Sequence, residues 1–307
     1  MPKPHDPARR RPDGEQPVEL RVHANGVELC AFEWAGDGAA DGPTLLFVHA
    51  TGFHARCWDE VIRRLPGWRA YAVDMRGHGR SERPDEPYDW ARFGDDLTAL
   101  VSKLDLSRIV GVGHSMGGHS VTYAAGRERD RFAALVLVDP VIGLTTRPDV
   151  AAGESPSSSF VARRRNEWAS AEEMIERFAS RPPFNDWEPA VLDDYCRYGL
   201  LPLAEGGFEL ACPPLIEADV YAHAGRTDVS DAIARITVPV RVIRAPAQPD
   251  AAPGEPRAFT ASPTAPDLAS RFAHAEDVPL DRGTHFIPME APALVAAHVA
   301  EMASRLG

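Results

Sequence analysis

The chain has 307 residues, 44% hydrophobic and 25% charged, enough apolar material for one sizeable α/β core carrying an insertion. Its formal net charge is −12 and no dense basic stripe is present, which argues against nucleic acid as a partner. No run reaches the length of a membrane-spanning helix, and Met1–Gln16, rich in Pro, Arg and Asp, lacks the apolar region of a signal peptide. The expectation is a cytoplasmic protein, monomer or homodimer, without a membrane partner and with a disordered N-terminal tail over residues 1–17.

In chain order, Val18–His23 and Val27–Trp34 read as strands around an Asn25-Gly26 hairpin turn. Thr44–His49 is a continuous apolar run, the pattern of a strand covered on both faces. Ala55–Leu65 fits a helix and Ala70–Asp74 a strand, and Ala91–Leu104 has helical spacing through Phe93, Leu97, Leu100, Val101 and Leu104. Arg108–Val112 and Ala133–Asp139 are further buried strands, with a helix from Ser120 to Glu128 between them. The alternation then stops, and residues 141–236 read as an aromatic-rich helical insertion. Val238–Arg244 resumes strand character, Asp267–Phe272 is expected to be helical, Glu276–Leu280 is a last strand, and Ala291–Leu306 is a closing helix. Strands alternating with helices imply a mostly parallel sheet flanked on both faces, here with a core over 18–140 and 237–307 and a cap over 141–236. Cys30, Cys57, Cys196 and Cys212 have neither CxxC nor metal-ligand spacing, so they read as reduced, buried thiols, and no cofactor or metal is expected.

The most informative stretch is Gly113-His114-Ser115-Met116-Gly117-Gly118. Gly-x-Ser-x-Gly recurs by chance in unrelated loops. Here it follows the apolar run Ile109–Val112 and precedes a helix, which is the context that gives the motif chemical meaning. Such a turn lifts the serine hydroxyl above the sheet edge and sets it against free backbone N–H groups at a helix start. A serine hydroxyl is a poor nucleophile until a base takes its proton, so Ser115 needs an imidazole within hydrogen-bond reach.

Together with His49-Ala50-Thr51-Gly52-Phe53, Asp74-Met75-Arg76-Gly77-His78-Gly79-Arg80-Ser81 and Gly283-Thr284-His285-Phe286, this elbow makes the chain resemble the α/β-hydrolase superfamily from Val18 to the C-terminus. The resemblance implies an α/β-hydrolase fold and a cofactor-independent serine hydrolase of a small-molecule ester or lactone. It assigns Ser115 as nucleophile, His285 as base, and the Met116 and Thr51 amides as the oxyanion hole. The usual His-Gly is His49-Ala50 here, so the second donor is Thr51 or its neighbour. His49, His78, His114 and His119 have structural readings.

The acid departs from the usual pattern. Gln248 stands near the position where relatives carry it, and Asp139, ending a buried strand, is the favoured candidate, because a buried carboxylate must be paired or hydrogen-bonded. Asp250, in a shifted loop, and Asp277 are the alternatives. Trp58 and Trp68 read as packing residues, as do the cap aromatics Phe160, Phe184 and Trp187. Arg163-Arg164-Arg165 reads as a solvated helix face or, alternatively, as the border of a pocket mouth that attracts an anionic ester. C–C bond or amide hydrolysis, a perhydrolase side activity, and a non-catalytic binding protein on the same fold stay open, since fold does not dictate function.

Overall fold

Asn25 and Gly26, both at positive φ (51° and 77°), turn β1 (Val18–Ala24) into β2 (Val27–Trp34). This is the primed turn whose twist matches that of the flanking strands. β3 (Thr44–Val48), β4 (Ala70–Asp74), β5 (Ile109–His114) and β6 (Phe132–Val138) follow. An insertion carries three short strands, β7 (Glu167–Trp168), β8 (Leu200–Pro202) and β9 (Phe208–Leu210), before β10 (Val240–Arg244) and β11 (Ala275–Pro279) complete the core. The structure is a computed structural model and describes residues 10–11, 15–38, 42–143, 159–246 and 260–306.

The main sheet runs β1-β2-β4-β3-β5-β6-β10-β11. β1, β2 and β4 pair antiparallel, and every pairing from β4 onward is parallel. Strand side chains alternate between two apolar layers, as the twofold period of a strand requires. Leu45, Phe47, Val110 and Val112 face a layer closed by α1 (Asp59–Ile62) and, further on, by the C-terminal helix Pro292–Ser304. Leu46 and Val48 face a layer closed by α2 (Trp90–Lys103) and α3 (Met116–Arg127). β3 lies between β4 and β5, so the chain reverses its direction of travel across the sheet there. The crevice outside the carboxyl ends of strands at such a reversal is where α/β folds bind ligands.

Several expectations are modified, among them the helix expected over Ala55–Leu65, which is a 3-10 turn over Ala55–Trp58 followed by α1. Asp267–Phe272 forms only a 3-10 turn, Leu268–Arg271. The N-terminal tail is not frayed throughout. Arg10 pairs with Glu60 at 2.8 Å, and Arg11, only 4% exposed, donates to the carbonyls of Ala35, Leu65 and Trp68. The insertion is not wholly helical either, because its strands form an antiparallel sheet in the order β7-β9-β8.

Within the insertion, α4 (Ala171–Ala179) and α5 (Pro189–Tyr198) pack around Trp168, Met174, Trp187, Val191 and Tyr195, in an apolar cluster shared with Ala50, Phe53, Phe286 and Met289 of the core. α6 (Pro214–Ala222) and α7 (Ser230–Arg235) instead join the main core through Val220, Val229, Ala232 and Ile233. Trp90 Nε1 donates to Val220 O at 2.9 Å, and Gly126 of α3 lies so close to α7 that a Cβ there would meet Ala232 Cβ at 2.5 Å. The insertion is therefore joined to the core along much of its length, by α6 and α7 as well as by the rings around Trp187. All four cysteines are buried and unpaired, as expected.

The loop after β4 is anchored through Arg76, whose Nε and Nη2 each donate to Asp96 of α2 at 2.6 Å, with both side chains at most 1% exposed. Removing one member of such a pair strands a buried charge. Arg76→Ala should therefore lower unfolding free energy by about 3–5 kcal/mol, measured by urea denaturation. A loss within about 0.5 kcal/mol, the range of ordinary surface substitutions, would show that the pair does not anchor the loop.

Candidate active site

β5 ends directly in Ser115, which caps α3 with φ 57° and ψ −117°, a conformation rarely adopted by a residue bearing a side chain. The strain persists because its surroundings leave no alternative. A Cβ on Gly117 would lie 2.1 Å from Val48 O, and one on Gly113 would lie 2.4 Å from Gly117 O. Ser115 N donates to Val138 O at 3.1 Å and Ser115 O accepts from Val141 N at 3.2 Å, which ties the elbow to the end of β6. The hydroxyl is thereby held above the sheet at the mouth of α3, only 6% of the residue exposed.

Three sequence-assigned residues meet there. His285 Nε2 stands 3.0 Å from Ser115 Oγ, and His285 Nδ1 stands 2.8 Å from Asp139 Oδ2. The geometry fits one tautomer, with Nδ1–H donating to the carboxylate and Nε2 free to accept the serine proton. Asp139 is fully buried at the end of β6, with φ 43°. Its other oxygen accepts from Ala245 N at 3.1 Å, Ser262 Oγ at 2.5 Å and Thr264 Oγ1 at 3.1 Å. Both oxygens thus act as acceptors. Asp277 is engaged elsewhere, bound by Arg244 Nε and Nη2 at 2.8 Å each. Asp250 and Gln248 lie outside the described residues.

His285 is fixed through its backbone on two sides. Its N–H donates to Thr260 O at 2.8 Å, and its carbonyl lies 2.8 Å from His114 Nε2, with the two rings 4.9 Å apart. Burial, followed by the proximity of His285, holds His114 well below the usual imidazole range, so it stays neutral and serves as a donor to that carbonyl. Ser262, Thr264 and Thr260 carry no motif, and only the fold brings them to Asp139 and His285.

The loop after β3 is held by the motif histidines. Met75 N donates to His49 Nε2 at 3.0 Å, Gly52 N donates to His78 Nε2 at 3.1 Å, and Ala55 N donates to Asp74 Oδ1 at 2.7 Å. His78 can accept only while neutral. Burial lowers its pKa to about 4, and its Nδ1 lies 2.9 Å from Arg76 O. Burial also lifts Asp74 to about 6, against the pull of its amide donors. The left-handed turn of the loop falls at Gly52 (φ 80°), so Ala50 in place of the usual glycine is accommodated without a positive φ. Since Gly52 N is committed to His78 and Phe53 N to Ala50 O, those neighbours of Thr51 are unavailable as donors to a ligand. Thr51 is buried and lies on the same loop.

The cap covers this site through aromatic rings. Trp187 sits 5.8 Å from Phe53 and 5.5 Å from Phe286, joining the cap to the loops that carry Thr51 and His285. Phe184 stacks on Phe178 at 4.2 Å, as expected of packing, whereas Phe160 is 78% exposed and packs little. Arg164 departs from the solvated face expected for its run and turns inward to pair with Glu217. Among the described residues, no group of three or more His, Cys, Asp or Glu could hold a metal ion, and no helix is long and apolar enough to cross a membrane.

A mixed sheet with a strand-turn-helix elbow, and a Ser–His–Asp line at its carboxyl edge, define a class of hydrolase folds. Residues 45–298 match the alpha/beta hydrolase family, and the chain belongs to it. It is 30% identical over 228 residues to a non-heme chloroperoxidase of Streptomyces lividans, covering 71% of this chain and 78% of that one. It is 27% identical over 229 residues to a bifunctional esterase/perhydrolase of Acinetobacter calcoaceticus, with 71% and 78% covered. Among solved structures, E-2-(acetamidomethylene)succinate hydrolase superposes with a TM-score of 0.70 at 21% identity, covering 94% of this chain and 99% of that one.

If His78 holds the Gly52 amide, His78→Ala frees the loop while leaving Ser115, His285 and Asp139 in place. The expected result is a fall in kcat on the order of tenfold, with partial recovery in His78→Gln, whose side-chain oxygen can still accept. Equal activity in His78→Ala and wild type, compared at matched folded fractions by circular dichroism, would refute the role.

Proposed function

We propose that the protein is a serine hydrolase that cleaves a carboxylic ester or lactone through an acyl-enzyme on Ser115. The observation that carries this reading is the continuous line Ser115 Oγ–His285 Nε2 at 3.0 Å and His285 Nδ1–Asp139 Oδ2 at 2.8 Å. Ser115 Oγ attacks the carbonyl carbon while His285 Nε2 takes its proton, and the carbonyl electrons move onto oxygen. The Met116 amide at the start of α3 and the Thr51 amide receive that oxyanion, as preorganised donors do in acyl transfer. Collapse expels the alkoxide, which leaves with the proton from His285. A water deprotonated by His285 then attacks the acyl-enzyme, releasing the acid and restoring Ser115.

Asp139 holds the Nδ1–H tautomer and stabilises the imidazolium in each half-reaction. A serine rather than a carboxylate at the elbow suits an acyl intermediate, because ring-opening of epoxides through an alkyl-ester requires a carboxylate nucleophile. Hydrogen peroxide in place of water would convert the same acyl-enzyme to a peracid, which is consistent with the esterase/perhydrolase activity in the name of one relative.

Ser115→Ala should lower kcat on p-nitrophenyl esters by ~10⁴-fold or more and abolish stoichiometric labelling by a fluorophosphonate, with folding nearly unchanged. Near-normal esterase activity in that variant would sink the mechanism. Asp139→Asn should cost up to ~10⁴-fold in kcat by favouring the wrong imidazole tautomer. A fall smaller than tenfold would show that Asp139 serves only to bind the amide and hydroxyls around it.

A further inference from the structure

One buried ion pair stands against the Thr51 loop without belonging to the Ser115–His285–Asp139 line. Glu217 of α6 is 3% exposed, and a Cβ on Gly52 would fall 2.5 Å from its Oε1. Its carboxylate is therefore packed onto the residue next to Thr51. Arg164 of the cap donates from Nη1 to Glu217 Oε2 and places Nη2 3.5 Å from the Tyr195 hydroxyl. Arg164, Tyr195, Gly52 and Phe53 line one small cavity.

Stability alone is a poor reason for such a pair, since desolvation offsets most of the attraction and apolar replacements often serve as well. The position suggests a different reason. An unscreened carboxylate beside the amide that receives an oxyanion would repel the charge developing there, and a buried site transmits that repulsion strongly.

We infer that Arg164 and Glu217 are a charge-compensating pair for the oxyanion site: Glu217 braces the Gly52 turn sterically, and Arg164 cancels its field at Thr51. This rests on the reading of Ser115 as nucleophile and Thr51 as oxyanion donor. Among the described residues, Tyr195 and Cys212 also act on Glu217, both pushed upward by burial and so neutral, and Tyr221 acts on Arg164. Glu217 itself is pushed up by burial and pulled back by Arg164. Without Arg164 the upward push acts alone, and the carboxyl gains its charge only as pH rises.

The test is the steady-state kinetics of Arg164→Met, Glu217→Gln and the double variant on p-nitrophenyl acetate across neutral and alkaline pH. Arg164→Met should lower kcat on the order of tenfold or more, with KM little changed and the deficit growing as pH rises and Glu217 ionises. Glu217→Gln keeps the brace but leaves Arg164 as a bare positive charge, so kcat should rise a few-fold above wild type. The double variant should return to within a few-fold of wild type.

A merely structural clamp would lose activity in both single variants, so opposite signs distinguish the two roles. A fall in kcat for Glu217→Gln, wild-type kcat in Arg164→Met, or a double variant no better than Arg164→Met would each overturn the inference. If Arg164→Met fails to fold, the sign of the Glu217→Gln change decides. Fluorophosphonate labelling of wild-type Ser115 separates the two levels: no adduct defeats the serine-hydrolase reading itself, whereas an adduct with the wrong signs defeats only the charge-compensation role.

Discussion

The site depends on how closely the first turn of α3 approaches the carboxyl end of β3. Gly117 lies where any side chain would strike Val48 O, and Gly113 where it would strike Gly117 O. This contact forces the left-handed backbone of Ser115, brings α3's N-terminus beside the loop that leaves β3, and aims the hydroxyl out of the sheet. Parallel pairing of β3, β5 and β6 places the ends of all three strands on one edge, so Thr51, Ser115 and Asp139 emerge within reach of one another. His285 reaches the same edge from the loop after β11.

Around that edge the buried histidines work while uncharged. His49 and His78 accept backbone N–H groups, and His114 donates to the carbonyl of His285. Burial depresses the affinity of all three for protons, which keeps the acceptor and donor roles distinct. Asp74 performs the matching task for Ala55 N and Arg80 N, and Gly79 approaches it closely enough that a Cβ would lie 2.0 Å from its carboxyl carbon. These groups hold in place the loops on which the proposed chemistry runs.

The cap consists of two physically different parts. Residues around Trp168, Trp187 and Tyr195 share one apolar cluster with Phe53 and Phe286 of the core, immediately beside the proposed oxyanion loop and base. α6 and α7 are continuous with the main core, and from α6 Glu217 reaches the same loop. Two different parts of the insertion therefore meet the loops that carry Thr51 and His285.

The core strands and the hairpin at Asn25-Gly26 were legible from local periodicity and turn residues, the elbow at Ser115 from its Gly-x-Ser-x-Gly between a strand and a helix, and His285 from the family resemblance of its motif. Asp139 was legible too, since an Asp that ends a buried apolar strand must be paired with something. Its partners Ser262 and Thr264, the carbonyl held by His114, and the inward turn of Arg164 were not. They arise from contacts between segments far apart in sequence, with no spacing rule linking them. The cap strands and the seating of Arg11 escaped for the same reason: short strands and a single docked arginine gain their stability from the surfaces they meet, and propensity within the segment says nothing about those surfaces. Local sequence determined the family of the chain and the residues of the candidate site, and tertiary packing decided which groups hold those residues in place.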